Sequence, residues 1–597
     1  MPMRDGVVLR ADHYAPAPRE VAGTPARSMA AWRSALPTVL VRTPYGRGGL
    51  VRLLAAAVAE RGQHVLIQSC RGTADSGGQF EPLLRERDDG SDTLRWLGRQ
   101  PWYEGRLATF GVSYVGLAHW ALAPEAGRQL AGMVAMITTS DFGPPTYIGG
   151  SFSLDSVLTW AAVLAGQDRP VLANLAEQLR GLPRLQRGLD HLPLGGADEV
   201  ATGNQVSFFQ EWLRERDPVG GYWQARSQQA SLAGIKAPVL LVGGWYDIFL
   251  PGQLYDFAAL EAAGAGPRLV IGPWTHGSID MYRRTMRSAL GVLRGDQGPE
   301  IAVPDAAGPE AQLPVLIHVG GVDQWRRLPT WPPPQARSRR WYLRAGGGLG
   351  PTLDGQPPVS GAGAAGEPPG PEGPEGTEGA DTAGRRVDRF RYDPADPTPA
   401  LGGPRLLGQR AGRRDNRSHE ARTDVLTFTS PPLPRAIEVI GPVQAVIQLQ
   451  VSRPFFDVFV RLCDVDQAGR SWNICDGLTR VTPDGYEPDP SGVYAVPVSL
   501  WPAAHRFAAG HRLRIQVSGG AHPRFARNPG TGEPLEVLSG LQPVEQTIIC
   551  DRDHVSFVAL PECPVLGGCN PFQQRLEISC SSSAAQMSGN CPKPQSV

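Results

Sequence analysis

Short apolar runs bounded by turn residues recur through the first 280 positions, with helical stretches between them. PTVLVRT (37–43) and HVLIQ (64–68) have the length and punctuation of buried strands. Between them, LLAAAVAERG (53–62) predicts a helix closed by Gly62, and DDGSDTLRWLG (88–98) a second helix. LATFGVSYVGLAHWALA (107–123) predicts strand, tight turn and helix. Alternation of this kind implies a parallel sheet covered on both faces. From about 141 to 233 strand signals vanish, and SVLTWAAVLAG (156–166) and VLANLAEQLRGL (171–182) predict a helical insertion. APVLLVGGWYD (237–247), a helix near 252–264 and PRLVIGPWTH (267–276) then resume the sheet.

The second half follows a different rhythm. From 386 to 560 short alternating strands dominate, among them DVLTFTS (424–430), AIEVIGPVQAVIQLQV (436–451) and FFDVFVRLCDV (455–465). Turn signals separate them every ten residues or so, as in an all-β sandwich or jelly roll. Residues 346–380 are low in complexity and hold few side chains able to bury apolar area, so a loop or linker is expected. The expected organisation is 1–140 and 235–340 as two parts of an α/β core, 141–234 as a helical cap and 341–385 as linker. Residues 386–562 are expected to form the β domain, and 563–597 a disordered tail.

Composition narrows the function classes. Of 597 residues, 58 are Lys or Arg and 58 Asp or Glu, so the formal net charge is zero. A protein that neutralises phosphates carries a basic excess, which argues against nucleic acid as partner. Only two residues, Lys236 and Lys593, are lysine, a bias that fits a GC-rich coding sequence. The 72 Gly and 57 Pro divide between the low-complexity segment and the turns of the β region. No apolar run reaches the roughly 18 residues a membrane span needs, and Met1–Pro16 has no signal-peptide pattern, so a cytoplasmic protein without membrane partners is expected. Four of the eight cysteines, Cys563, Cys569, Cys580 and Cys591, crowd the last 35 residues, at spacings that match no common zinc site. The tail's shift in composition suggests read-through or a changed reading frame.

The strongest chemical signal is Gly111-Val112-Ser113-Tyr114-Val115-Gly116, the G-x-S-x-G idea in its G-x-S-Y-x-G form, placed between a strand and a helix. A nucleophile elbow needs that context: the turn is sharp, its neighbours must be small, and the serine stands above the sheet. A fortuitous Gly-Ser turn is the rival reading. A serine hydroxyl needs a base to take its proton and a carboxylate to hold that base. In the chain order Ser, Asp, His, the candidates are Asp247 and His276, each closing a predicted strand. A capping aspartate and a loop histidine are the alternatives when each is taken alone.

These residues lie in segments that resemble the cocaine esterase / X-Pro dipeptidyl-peptidase (S15-type, CocE/NonD) group of α/β-hydrolases. The matching stretches are MRDGVVLRADHY (3–14), VRTPYGR (41–47), CRGTADSGGQF (70–80), GVSYVG (111–116), GGWYDIF (243–249) and GPWTHG (272–277). They continue with YDPADPTPALGG (392–403), DVLTFTSPPL (424–433) and PRFARNPGTG from Pro523, so the resemblance covers about 3–560. It implies an α/β-hydrolase with a helical cap insertion plus a C-terminal β jelly-roll domain. It implies Ser113 as nucleophile, His276 as base and acid, and Asp247 orienting the histidine. The oxyanion hole would combine the Tyr114 backbone N–H with the Tyr45 hydroxyl, and Trp160 and Phe249 would be walls of the acyl pocket; ordinary core aromatics are the other reading. The chain departs from the family at Cys70, where Asp is usual, and a passive small residue is expected there.

The implied activity is a serine esterase or acylase acting on a small-molecule ester or amide through an acyl-enzyme, without cofactor or metal. Members that hydrolyse α-amino acid esters carry acids close to the triad aspartate; here the next acid after Asp247 is Asp256, nine residues on. No anchor for a substrate ammonium stands out, as an X-Pro dipeptidyl-peptidase would require. That activity, a β-lactam acylase and a catalytically inert binding protein are the alternatives. A metalloenzyme is a weaker rival: His505, His511 and His522 share one stretch without ligand spacing. Oligomeric state, including a homodimer, stays open.

Overall fold

The computed structural model describes residues 1–16, 36–166, 171–296, 312–353, 379–380, 386–406, 410–538 and 540–565. The first strands are β1 (Ala11–Tyr14), β2 (Thr38–Thr43), β3 (Val65–Ser69), β4 (Leu107–Val112) and β5 (Leu130–Met136). After the hairpin β6 (Tyr147–Ile148) and β7 (Ser151–Phe152) come β8 (Val239–Tyr246), β9 (Arg268–Thr275), β10 (Val315–Val319) and β11 (Gln324–Leu328). Nine of them form one sheet in the order β1-β3-β2-β4-β5-β8-β9-β10-β11, the hairpin standing apart. The seven inner strands are parallel, and β1 and β11 close the edges antiparallel.

The two-residue period of these strands sorts their side chains onto two helical layers. Val39, Val41, Ile67, Phe110, Val134, Val242 and Leu316 pack with α1 (Gly49–Ala59) on one face. On the other, Leu40, Leu66, Met133, Leu241 and Ile317 pack with α2 (Glu86–Leu97) and α3 (Tyr114–Ala126). The insertion after β5 contains the β6–β7 hairpin, which the strand signal did not announce, and the helices α4 (Leu154–Ala165), α5 (Val171–Asp190) and α6 (Ser207–Arg214). The chain re-enters through β8, followed by α7 (Leu250–Ala262).

A 14-stranded sheet system makes up the second half. It starts at Arg337–Arg344 and Gly348–Gly350, so part of the expected 341–385 linker is strand, paired with Phe557–Cys563 and Val425–Thr429. Low-complexity positions 354–378 lie outside the described residues, and Gly379–Ala380 forms a short strand. The long run at 436–451 divides at Gly441 into Ile437–Gly441 and Gln444–Val451, because Pro442 has no N–H for the ladder. At the far end, Cys563 is the buried last residue of a strand, so the expected tail starts later; Cys569, Cys580 and Cys591 lie outside the described residues. The architecture is an α/β-hydrolase with a helical insertion and a C-terminal β-rich domain of jelly-roll type.

Candidate active site

Ser113 stands where β4 ends and α3 begins, with φ 57° and ψ −128°, a conformation costly for a residue with a Cβ. The surroundings hold it there. The Ser113 N–H donates to the Met136 carbonyl (3.0 Å), and the Thr138 hydroxyl donates to the Ser113 carbonyl (2.7 Å). A Cβ on Gly111 would lie 2.4 Å from the Gly116 Cα, and one on Gly116 would lie 2.5 Å from Thr138 Cγ2. Helix and strand therefore meet backbone to backbone, and the motif glycines are required by that approach rather than by composition.

The strands β8 and β9 bring the other two residues to the same sheet edge. Asp247 is fully buried, and its two oxygens have distinct partners. Oδ1 accepts the Phe249 backbone N–H (2.8 Å), and Oδ2 faces His276 Nδ1 at 2.7 Å. A buried acceptor on Nδ1 places the ring proton there, which leaves Nε2 as acceptor for the Ser113 hydroxyl at 3.0 Å. Ser113, His276 and Asp247 thus form one hydrogen-bonded chain.

Tyr45 and Trp160 lie beside it. The Trp160 indole Nε1–H donates to the Tyr45 hydroxyl oxygen (3.0 Å), and the Ser113 side chain is a further polar neighbour of that hydroxyl. Burial pushes the Tyr45 phenol up to about 12, so it keeps its proton. The Tyr114 side chain is occupied elsewhere: its hydroxyl donates to Glu86 Oε1 (3.0 Å) and accepts the Leu83 N–H (2.8 Å). Its backbone N–H opens α3, where no carbonyl one turn back exists to accept it. Phe249 packs edge-on against the His276 ring, centroids 5.6 Å apart.

Sequence reasoning missed the loop after β5. Thr138 fixes the Ser113 carbonyl, and Phe142 packs on Phe249 (4.6 Å) and Tyr114 (6.2 Å). Asp256 on α7 anchors this loop by accepting the Ser140 N–H (2.8 Å) and hydroxyl (2.5 Å). Burial pushes the Asp256 carboxyl up to about 7. Phe80 was also missed; it packs against Tyr114 and Trp160. The signal was available, since loops leaving the carboxyl ends of parallel strands converge on one edge. Cys70 is buried with its thiol 3.8 Å from Glu86 Oε2, and burial pushes its pKa up. That environment disfavours a thiolate. His505 and His511 share the Asp464 carboxylate, one on each oxygen, while His522 meets Asp190, so the three do not converge on one point. Among the described residues no group of three or more His, Cys, Asp or Glu is placed to hold a metal, and no helix is long and apolar enough to cross a membrane.

Comparison with known proteins matches two family models. Residues 5–278 match the X-Pro dipeptidyl-peptidase (S15 family) model, and 308–559 the X-Pro dipeptidyl-peptidase C-terminal non-catalytic domain. A cocaine esterase of Rhodococcus sp. (strain MB1 Bresler) is 28% identical over 605 residues, covering 94% of this chain and 97% of that protein. Among solved structures, an aminopeptidase from a marine sediment archaeon (Thaumarchaeota archaeon) superposes with TM-score 0.68 at 20% identity, covering 94% of this chain and 95% of that one. An α-amino acid ester hydrolase gives TM-score 0.68 at 21% identity with the same coverage.

Proposed function

Because the chain belongs to the X-Pro dipeptidyl-peptidase (S15) family and is a serine hydrolase of esters or peptides, we propose that it cleaves a carboxylic ester, or an acyl amide, through an acyl-enzyme on Ser113. The observation that carries this reading is the continuous chain from Ser113 Oγ through His276 to Asp247, 3.0 and 2.7 Å. His276 Nε2 takes the serine proton as Oγ attacks the acyl carbon, and Asp247 holds the imidazolium that forms. The developing oxyanion is met by the Tyr45 O–H and the Tyr114 N–H; one such donor is commonly worth about 10²–10³ in rate. His276 then returns the proton to the departing alkoxide or amine. A water, deprotonated by the same nitrogen, attacks the acyl-enzyme and releases the acid.

Several features support an ester over an amine-anchored peptide. The cocaine esterase relative spans almost the whole chain. The carboxylates of the segments that carry Phe142 and Phe249 are already engaged: Asp141 by Gly143 and Ser227, and Asp256 by Ser140. Phe142, Phe249 and Trp160 give the site an apolar, aromatic lining suited to a neutral acyl group. Hydrolysis of p-nitrophenyl acetate and butyrate, beside an X-Pro p-nitroanilide, tests the reading. Ester turnover that disappears in Ser113→Ala, with a fluorophosphonate probe labelling the parent alone, is expected. Labelling of Ser113→Ala to the same extent would overturn the nucleophile; faster turnover of the X-Pro anilide than of either ester would overturn the substrate class.

A further inference from the structure

This inference rests on the proposed oxyanion role of Tyr45 and extends it to the helical insertion. Tyr45 can stabilise an oxyanion only if its single proton points toward the reacting atoms. A phenol rotates about its C–O bond, so something must choose the direction. The Trp160 indole Nε1–H lies 3.0 Å from the Tyr45 oxygen. Indole donates and cannot accept, so the Tyr45 proton cannot be spent on it. With one lone pair filled from that side, the O–H is left free to turn toward the Ser113 side.

The donor is itself fixed. The Trp160 ring stacks near-parallel on Tyr114 (5.5 Å, 22°) and Trp212 (5.6 Å, 17°), and Phe208 packs at 4.8 Å. A donor behind a donor also polarises it: N–H to O–H to O⁻ strengthens as negative charge grows at the far end. Trp160 belongs to α4, so the insertion reaches the chemistry itself and does not only wall the pocket.

We propose that Trp160 is a positioning residue of the oxyanion hole, acting through the Tyr45 hydroxyl to aim and polarise its proton. A double-mutant cycle on p-nitrophenyl butyrate tests this. Trp160→Phe is expected to lower kcat about tenfold, the scale of one hydrogen bond, with KM within about threefold. In the Tyr45→Phe background the same change is expected to cost less than about twofold, since its target oxygen is gone. Multiplying effects, or a change confined to KM, would overturn the proposal and leave the triad intact. A Tyr45→Phe variant with unchanged kcat would instead overturn the oxyanion reading, and this inference with it.

If Trp160→Phe does not fold, ¹⁵N-indole spectra of parent and Tyr45→Phe decide the matter. One indole N–H resonance is expected to move upfield when the phenol oxygen is removed. No indole resonance moving would sink the proposal.

Discussion

Two sets of buried carboxylates, one at the edge of the first large sheet and one inside the second, are partnered in opposite ways. At the carboxyl edge of the first, Asp247 faces the His276 ring, a partner able to take up or release a proton. In the second, carboxylates are sealed against permanent cations. Asp476 sits between Arg461 and Arg524, Glu438 between Arg326 and Arg506, and Asp457 against Arg480. All three carboxylates are at most 1% exposed. A guanidinium does not release its proton at these pH values, so such a pair can hold elements together but cannot relay anything. One arrangement pairs a carboxylate with a group that can change its charge; the other pairs it with groups that cannot.

Substitutions can break this contrast. Ser113→Ala is expected to have the largest effect, a loss of kcat of about 10⁴ or more with the melting temperature within a degree or two of the parent, read by ester hydrolysis and calorimetry. Asp247→Asn should follow at about 10⁴, since it favours the wrong imidazole tautomer. Asp476→Ala should do the reverse. Stranding Arg461 and Arg524 is expected to cost about 3–5 kcal/mol in urea unfolding, while kcat at low temperature stays within about threefold. An Asp476 variant that unfolds like the parent would show that the sealed pairs do not hold the sheet.

Smaller effects sharpen the comparison with one histidine from each region. Burial pushes His119 and His419 down to about 3, beside Arg42 and Arg461 respectively. Folded-state values below the unfolded 6.5 mean that the unfolded chain takes up protons first. The stability these groups contribute is complete above about pH 6.5 and falls as pH drops toward 3, by up to about 1.4 kcal/mol per unit for each. Urea unfolding at pH 7.0 and 5.5 should show a shallower slope in His119→Gln and in His419→Gln. Truncation after Val565 is expected to change esterase activity least, by under about twofold; a large loss would give the C-terminal segment a function in the site.

What was legible in the sequence was local. Five of the seven parallel strands, β2, β3, β4, β8 and β9, announced themselves as short apolar runs, and the elbow by its glycines; β5 and β10 were passed over. Asp247 and His276 could be found because strand ends carry side chains to one edge. What was hidden depends on pairing across long separations. The β10–β11 edge, the Trp160–Tyr45 contact across 115 positions and the arginine-sealed carboxylates leave no period in the chain. Cys70 shows the same limit: its identity was plain, but its place against Glu86 was not. The break at Pro442 was readable from proline's missing donor and was passed over within a long apolar run.

The helical insertion is tied to the second sheet at several points. Arg405 grips Asp155 at 2.9 Å, His522 meets Asp190 at 3.0 Å, and Arg216 reaches Glu536 at 2.8 Å. Backbone joins them, with the Ala526 N–H on the Phe152 carbonyl and the Leu194 N–H on that of Leu535. For anyone building chimaeras, this makes the insertion and the C-terminal half a single exchangeable module. A cap grafted from a related hydrolase would have to bring the matching loops of the β domain with it.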